Sequence, residues 1–129
     1  AAEFTGRFVK ERRALPAMAL NVNCSSITAI ANDYSYEHIF VREVEAHGRK
    51  GDVLIAISTS GNSGNVLRAA ERAKALGITT VGMTGQTGGK LGEIVDHCLK
   101  VPSTNVARIQ EMHILMGHMI CEIVEQTLC

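Results

Sequence analysis

The sequence predicts an α/β fold: a parallel sheet flanked by helices on both faces, in a flavodoxin-like three-layer arrangement. Three observations lead there. Runs at 52–57, 78–83 and 97–101 are largely apolar or β-branched, without the alternation of a half-exposed strand. Helical patterns lie between them, as in a sheet built from crossover units. The first run stops abruptly in Ser58-Thr59-Ser60-Gly61-Asn62-Ser63, and a helical pattern begins at once after it. Strand, polar loop and helix in that order put the loop at the carboxyl end of the sheet, where such folds bind ligands.

In chain order, residues 1–8 read as the end of a helix that leaves through Gly6-Arg7. Residues 11–16 form a charged linker, and Pro16 excludes helix at Leu15. Ala17 to Leu20 reads as a short apolar strand, which, if parallel to the others, puts Asn21 at the ligand end. Ser25 to Ala31 reads as a short helix with Ser25 or Ser26 as its cap, closed by Asn32-Asp33. Tyr36, Ile39, Phe40 and Val44 recur at steps of three and four, predicting a helix to Ala46. Gly48 ends it, and Gly51-Asp52 leads into the central strand.

The helix from 65 to 76 aligns Val66, Leu67, Ala70, Ala73 and Leu76, and Gly77 stops it. Ile78 to Met83 is the next strand, and 84–89 reads as a flexible loop. Leu91 to Val95 reads as a short helix. His97 to Val101 is the last strand, ended by Pro102. From Val106 to Leu128 the pattern is one long helix, with an apolar stripe through Ile109, Met112, Met116, Met119 or Ile120, Ile123 and Leu128. No internal repeat, low-complexity tract or domain boundary interrupts residues 1–129, so one domain is expected.

Composition excludes several classes. Lys plus Arg equals Asp plus Glu at 13 each, which leaves no basic footprint for nucleic acid or an acidic membrane surface. No apolar run is long enough to span a bilayer. Cys24, Cys98, Cys121 and Cys129 have neither zinc-ribbon nor thioredoxin spacing. Scattered thiols fit a reducing cytoplasm. The opening Ala-Ala-Glu-Phe reads as the middle of a helix, so residues are expected upstream of position 1.

The serine loop is the chemical centre. Helix-start N–H groups lack intrahelical partners and carry the positive end of the dipole. Ser58, Thr59, Ser60 and Ser63 add hydroxyls, more than one helix cap requires, and the small residues allow close approach. The expectation is a phosphate cradle, with an ordinary capped turn as the alternative. It is neither a Walker loop nor a dinucleotide fingerprint. In the terminal helix, which holds Gln110, the residues Glu111, His113 and His118 invite a metal reading, but His-Glu-x-x-His spacing is absent. Gln110 and His118 are separated by about 12 Å of helix rise. Surface or core residues satisfied by hydrogen bonds are the alternative there. For Glu3, four residues before Arg7, the alternative is a surface ion pair.

These motifs together resemble a family. Ile57-Ser58-Thr59-Ser60-Gly61-Asn62-Ser63, with Thr84-Gly85-x-x-Gly88-Gly89, resembles the sugar isomerase (SIS) domain. Glu3-x-Thr5-Gly6-Arg7, Leu15-Pro16-Ala17, Ala29-Ile30-Ala31-Asn32-Asp33-Tyr34 and Ala107-Arg108-Ile109-Gln110-Glu111-x-His113 narrow it to the bacterial sedoheptulose 7-phosphate (phosphoheptose) isomerases, over essentially the whole chain. The resemblance implies an N-terminal helix and first strand upstream, with an Asn-Gly-Gly-Ser loop and a histidine, so the chain is expected to be an N-terminally truncated SIS domain. It implies isomerisation of sedoheptulose 7-phosphate to D-glycero-D-manno-heptose 7-phosphate, the first step toward ADP-heptose and, among other fates, lipopolysaccharide. It implies Glu3 as the base and His118 as the second catalytic residue. Substrate is expected at Glu3, Asn32, Asp33, Ser58, Thr59, Ser60, Ser63 and Gln110. Zinc is expected on Glu3, Gln110, His118 and the upstream histidine, in a homotetramer with sites at subunit interfaces.

Two other classes share parts of the pattern. Non-catalytic SIS proteins that bind the replication initiator tend to lose the residues matching Glu3 and His118 and to interrupt the serine loop; here all three are intact. Sugar-phosphate-sensing regulators would need an upstream helix-turn-helix.

Overall fold

The computed structural model describes residues 1–129. Its centre is a three-stranded parallel sheet in the order β1-β2-β3, formed by Val53–Ile57, Thr79–Thr84 and His97–Lys100. The register pairs Val53 with Thr79 and Val81 with His97, so the three carboxyl ends lie together. Six α-helices accompany it, of which α4, α5 and α6 pack on the strands: α1 (Ala2–Thr5), α2 (Cys24–Asp33), α3 (Ile39–His47), α4 (Gly64–Ala75), α5 (Leu91–Ile94) and α6 (Val106–Leu128), with a 3₁₀ turn at Tyr36–His38 before α3.

Alternation along β1 divides the faces. Leu54 and Ala56 point toward α4. Leu54 joins Val44, Ala69, Ala73 and Ile78, and Ala56 joins Ala70 and Leu91. Alanines on α4 let the helix lie close to the strands. Truncating Ile78 to Ala there should cost about 2–5 kcal/mol. On the opposite face Met83 is buried, and α6 packs at the carboxyl end of β2. Val53, Ile55 and Ile57 on that face remain exposed.

The α4, β2, β3 and α6 expectations hold to within one or two residues. Four others are corrected. Ala17–Leu20 is not a strand: no N–H of that segment is hydrogen-bonded, alanine favours strands little, and only Leu20 finds the core. Asn21 therefore does not sit at a strand end. Asn23, not Ser25 or Ser26, caps α2, its side chain accepting from Ser26 N–H at 3.1 Å. The 84–89 loop is packed, with Gly85 and Gly88 buried. On α6 the buried positions are Ile109, His113, Cys121 and Glu125, while Met112, Met119, Ile123 and Leu128 of the expected stripe are exposed. Ile109 of the stripe is buried and Met116 and Ile120 are half-buried, so the apolar periodicity runs between the face this chain covers and one it leaves open.

Candidate functional site

β1 delivers the serine loop. Ser58 N–H extends the ladder by donating to Met83 O at 3.0 Å. Gly61 N–H then donates back to Ser58 O at 3.0 Å and to Ser58 Oγ at 3.1 Å. Ser58 Oγ lies 3.0 Å from Ser63 Oγ, and Asn62 N–H donates to Ser60 Oγ at 3.1 Å. The neighbouring loop fixes the outer side. Gly85 N–H donates to Thr59 O at 2.9 Å, Lys90 N–H to the Asn62 side-chain oxygen at 3.1 Å, and Leu91 N–H to Gly61 O at 2.9 Å. Gly61 is required here: its φ is +68°, and a Cβ would lie 2.0 Å from Gly88 O.

Within this framework the N–H groups of Thr59, Ser60, Ser63, Gly64 and Asn65 have no acceptor in the chain. Ser63 is the N-cap residue of α4, yet its hydroxyl caps no helix N–H. Unpaired amides on a tight loop, at the positive end of a twelve-residue helix, have the chemistry that suits an anion such as a phosphate dianion. Beside it opens a cleft of about 310 Å³ whose walls include Thr59, Ser60, Gly85, Gln86, Ser103 and Ile109. Gln86 and Ser103 escaped the sequence reading; their signal was position, directly after β2 and β3.

The other candidate residues fall into two groups. Asn32 and Asp33 close α2, exposed and joined by an amide-to-carboxylate hydrogen bond of 3.1 Å. They precede the 3₁₀ turn whose Glu37 lies 3.2 Å from where a Cβ on Gly64 would be, at the start of α4. Glu3 sits on α1, half-buried, and its carboxylate enters no ion pair of the chain. Burial raises the pKa of the Cys121 thiol on α6, and the nearby Glu3 charge raises it further. His118 is three residues before Cys121, on the same side of that helix. Its ring lies 5.8 Å from the Phe8 ring, centroid to centroid. Glu3 and His118 thus belong to facing elements, α1 with its exit and α6.

Two residues that hold those elements together read from sequence only as linker and helix. Arg12 and Glu125 form an ion pair at 3.0 Å, with side chains 5% and 3% exposed. Burial pushes the Glu125 pKa up, but N–H groups of Lys10, Val9 and Phe8 and the Arg12 guanidinium outweigh it and hold the group at about 2. His113, also buried, donates through Nε2 to Thr84 O at 3.1 Å, which anchors α6 to the end of β2. Its Nδ1 has no partner.

No three His, Cys, Asp or Glu side chains converge within the chain. Glu3 and His118 offer one carboxylate and one imidazole, and Gln110 is exposed two turns away on α6. These residues alone do not close a zinc site in one copy of the chain.

Comparison with known proteins matches the same regions. A family model described as SIS domain matches residues 1–85. The chain is 56% identical over 129 residues to the phosphoheptose isomerase of Rhodospirillum rubrum, covering all of this chain and 69% of that protein. It is 52% identical over 128 residues to the phosphoheptose isomerase of Aneurinibacillus thermoaerophilus, covering 99% of this chain and 65% of that one. The chain therefore spans about two thirds of the length of these relatives. Among solved structures, phosphoheptose isomerase GmhA from Neisseria gonorrhoeae superposes with a TM-score of 0.92 at 43% identity, over 98% of this chain and 67% of its own.

Proposed function

The chain belongs to the phosphoheptose isomerase family of SIS domain proteins, and from that premise we propose that the protein isomerises sedoheptulose 7-phosphate to D-glycero-D-manno-heptose 7-phosphate through an enediol. The observation that carries the reading is the set of unpartnered N–H groups on the 59–65 turn. They suit the terminal phosphate of a sugar better than a neutral ligand.

The reaction moves one proton between carbons. Glu3 takes a proton from C1 of the ketose, while the C2 oxygen gains one, giving the 1,2-enediol. Protonation at C2 and loss of the C1 hydroxyl proton then give the aldose. Glu3 serves the carbon protons and His118 the oxygens, as general acid–base chemistry requires. Asn32, Asp33 and Gln110 bind sugar hydroxyls, and Ser58, Thr59, Ser60 and Ser63 complete the phosphate site. The product leads toward ADP-heptose, with lipopolysaccharide one of its uses.

Zinc is proposed for the assembled enzyme, with Glu3, Gln110 and His118 contributing and further donors from outside this set. No proton step above depends on it, and elemental analysis of protein purified without chelator reads it directly. The assembly proposed is a cytoplasmic homotetramer. One observation supports the assembly: α6 leaves Met112, Met119 and Ile123 uncovered. Incubating the full-length protein with sedoheptulose 7-phosphate tests the reaction. Proton NMR should show the aldose C1 signal appear; unchanged ketose would contradict it.

A further inference from the structure

We propose that Arg12 and Glu125 are positioning residues that hold Glu3 and His118 in register, an inference that rests on the isomerase reading above. α1 has four residues and none of them is buried, so neither its length nor its packing fixes Glu3. Arg12 supplies what the helix lacks. Its Nη2 donates to Glu3 O at 2.6 Å, and its Nη1 donates to Phe4 O at 2.9 Å and to Gly6 O at 3.3 Å. A short helix leaves such carbonyls without intrahelical partners; Phe4 O also accepts from Leu15 N–H at 2.9 Å, whereas Glu3 O is held by Arg12.

Glu125 anchors the arrangement to the end of α6. One carboxylate oxygen accepts from Arg12 Nε at 3.0 Å and from Phe8 N–H at 3.3 Å. The other accepts from the N–H groups of Val9 and Lys10, each at 2.9 Å. Phe8, so held, carries the ring that lies against His118. One buried, neutral pair thereby grips the backbone of Glu3 on one side and the residue beside His118 on the other. It touches neither side chain, so it acts through geometry. Misplacement of a base by about 1 Å can reduce a rate about 100-fold.

The test uses full-length protein carrying Arg12→Lys or Glu125→Gln, with wild type and Glu3→Gln measured alongside. Lysine keeps the charge opposite Glu125 but cannot reach the Glu3 and Phe4 carbonyls together. Glutamine keeps the shape of Glu125. Each variant should lose about tenfold or more in kcat and in exchange of the substrate C1 proton with solvent. KM for sedoheptulose 7-phosphate should stay within about twofold, because the phosphate loop is built on other elements. A lowered melting temperature with wild-type kcat would overturn the proposal, and so would equal losses in kcat and binding. Unfolding of both variants would assign the pair to the global fold and overturn it too. Absence of C1 exchange in the wild type is a separate result that defeats the isomerase reading itself.

Discussion

At the scale of single residues, the serine loop separates into groups that shape it and groups left for a ligand. The hydroxyls of Ser58 and Ser60 accept hydrogen bonds from Gly61 and Asn62 N–H, which shapes the turn, while the Ser60 O–H keeps its own donor for a ligand. Thr59 Oγ1 has no partner. Thr59→Val keeps the shape and removes that donor. A charge-assisted hydrogen bond is worth about 1.5–3 kcal/mol, so KM should rise about tenfold or more while the urea midpoint stays put. A shifted midpoint with unchanged KM would make Thr59 structural. Ser60→Ala with Ser63→Ala should weaken sugar-phosphate binding by a few kcal/mol in calorimetry; unchanged binding would contradict the cradle. Gly61→Ala forces a Cβ onto Gly88 O at a positive φ. It should cost on the order of 1–3 kcal/mol or more in urea unfolding, and an unchanged midpoint would contradict the packing of the two loops.

At the scale of elements, two carboxylates hold turns together and make the fold sensitive to acid. Asp96, between α5 and β3, accepts from Thr80 N–H and Thr80 Oγ1, both at 2.8 Å, and lies 3.3 Å from Lys74 Nζ. The Thr80 N–H, then its hydroxyl, hold Asp96 at about 2. Glu125 is held at about 2 by its N–H donors and Arg12 against the cost of burial. Both pKa values are depressed in the folded state, so the unfolded chain binds more protons. Their stabilisation is complete above the ordinary values of 3.8 and 4.5 and is lost as pH falls from there toward 2. Urea midpoints should therefore fall over that window, and Glu125→Gln should flatten part of the decline. A flat wild-type profile would contradict the assignment. Strands and long helices were legible in sequence because burial imposes their periodicity. The serine loop was legible because its residue types and its place after a strand agree. Arg12–Glu125 was not: it joins residues 113 apart, and no local pattern announces a buried long-range ion pair. The strand expected at 17–20 failed for a related reason, since strand formation needs a partner that a four-residue pattern cannot reveal.

At the scale of the whole molecule, one end of the sheet carries unpaired N–H groups and another face is left apolar. Val53, Ile55 and Ile57 on β1 and Met112, Met119 and Ile123 on α6 are exposed in the single chain. In the proposed tetramer α6 is covered. Light scattering of the full-length protein should give four copies, and Met119→Lys should shift it toward smaller species. A fully active monomer would contradict that arrangement. Under the proposed function the serine loop, α1 and α6 serve a single isomerase site with Glu3 as its base. The most direct test is deuterium exchange at C1 of sedoheptulose 7-phosphate in heavy water, with zinc content measured on the same samples. Wild type should incorporate deuterium at C1. Glu3→Gln should bind the sugar phosphate yet exchange at a rate reduced by about 10²-fold or more. A Glu3→Gln enzyme with unchanged metal content that exchanges at the wild-type rate would contradict the account.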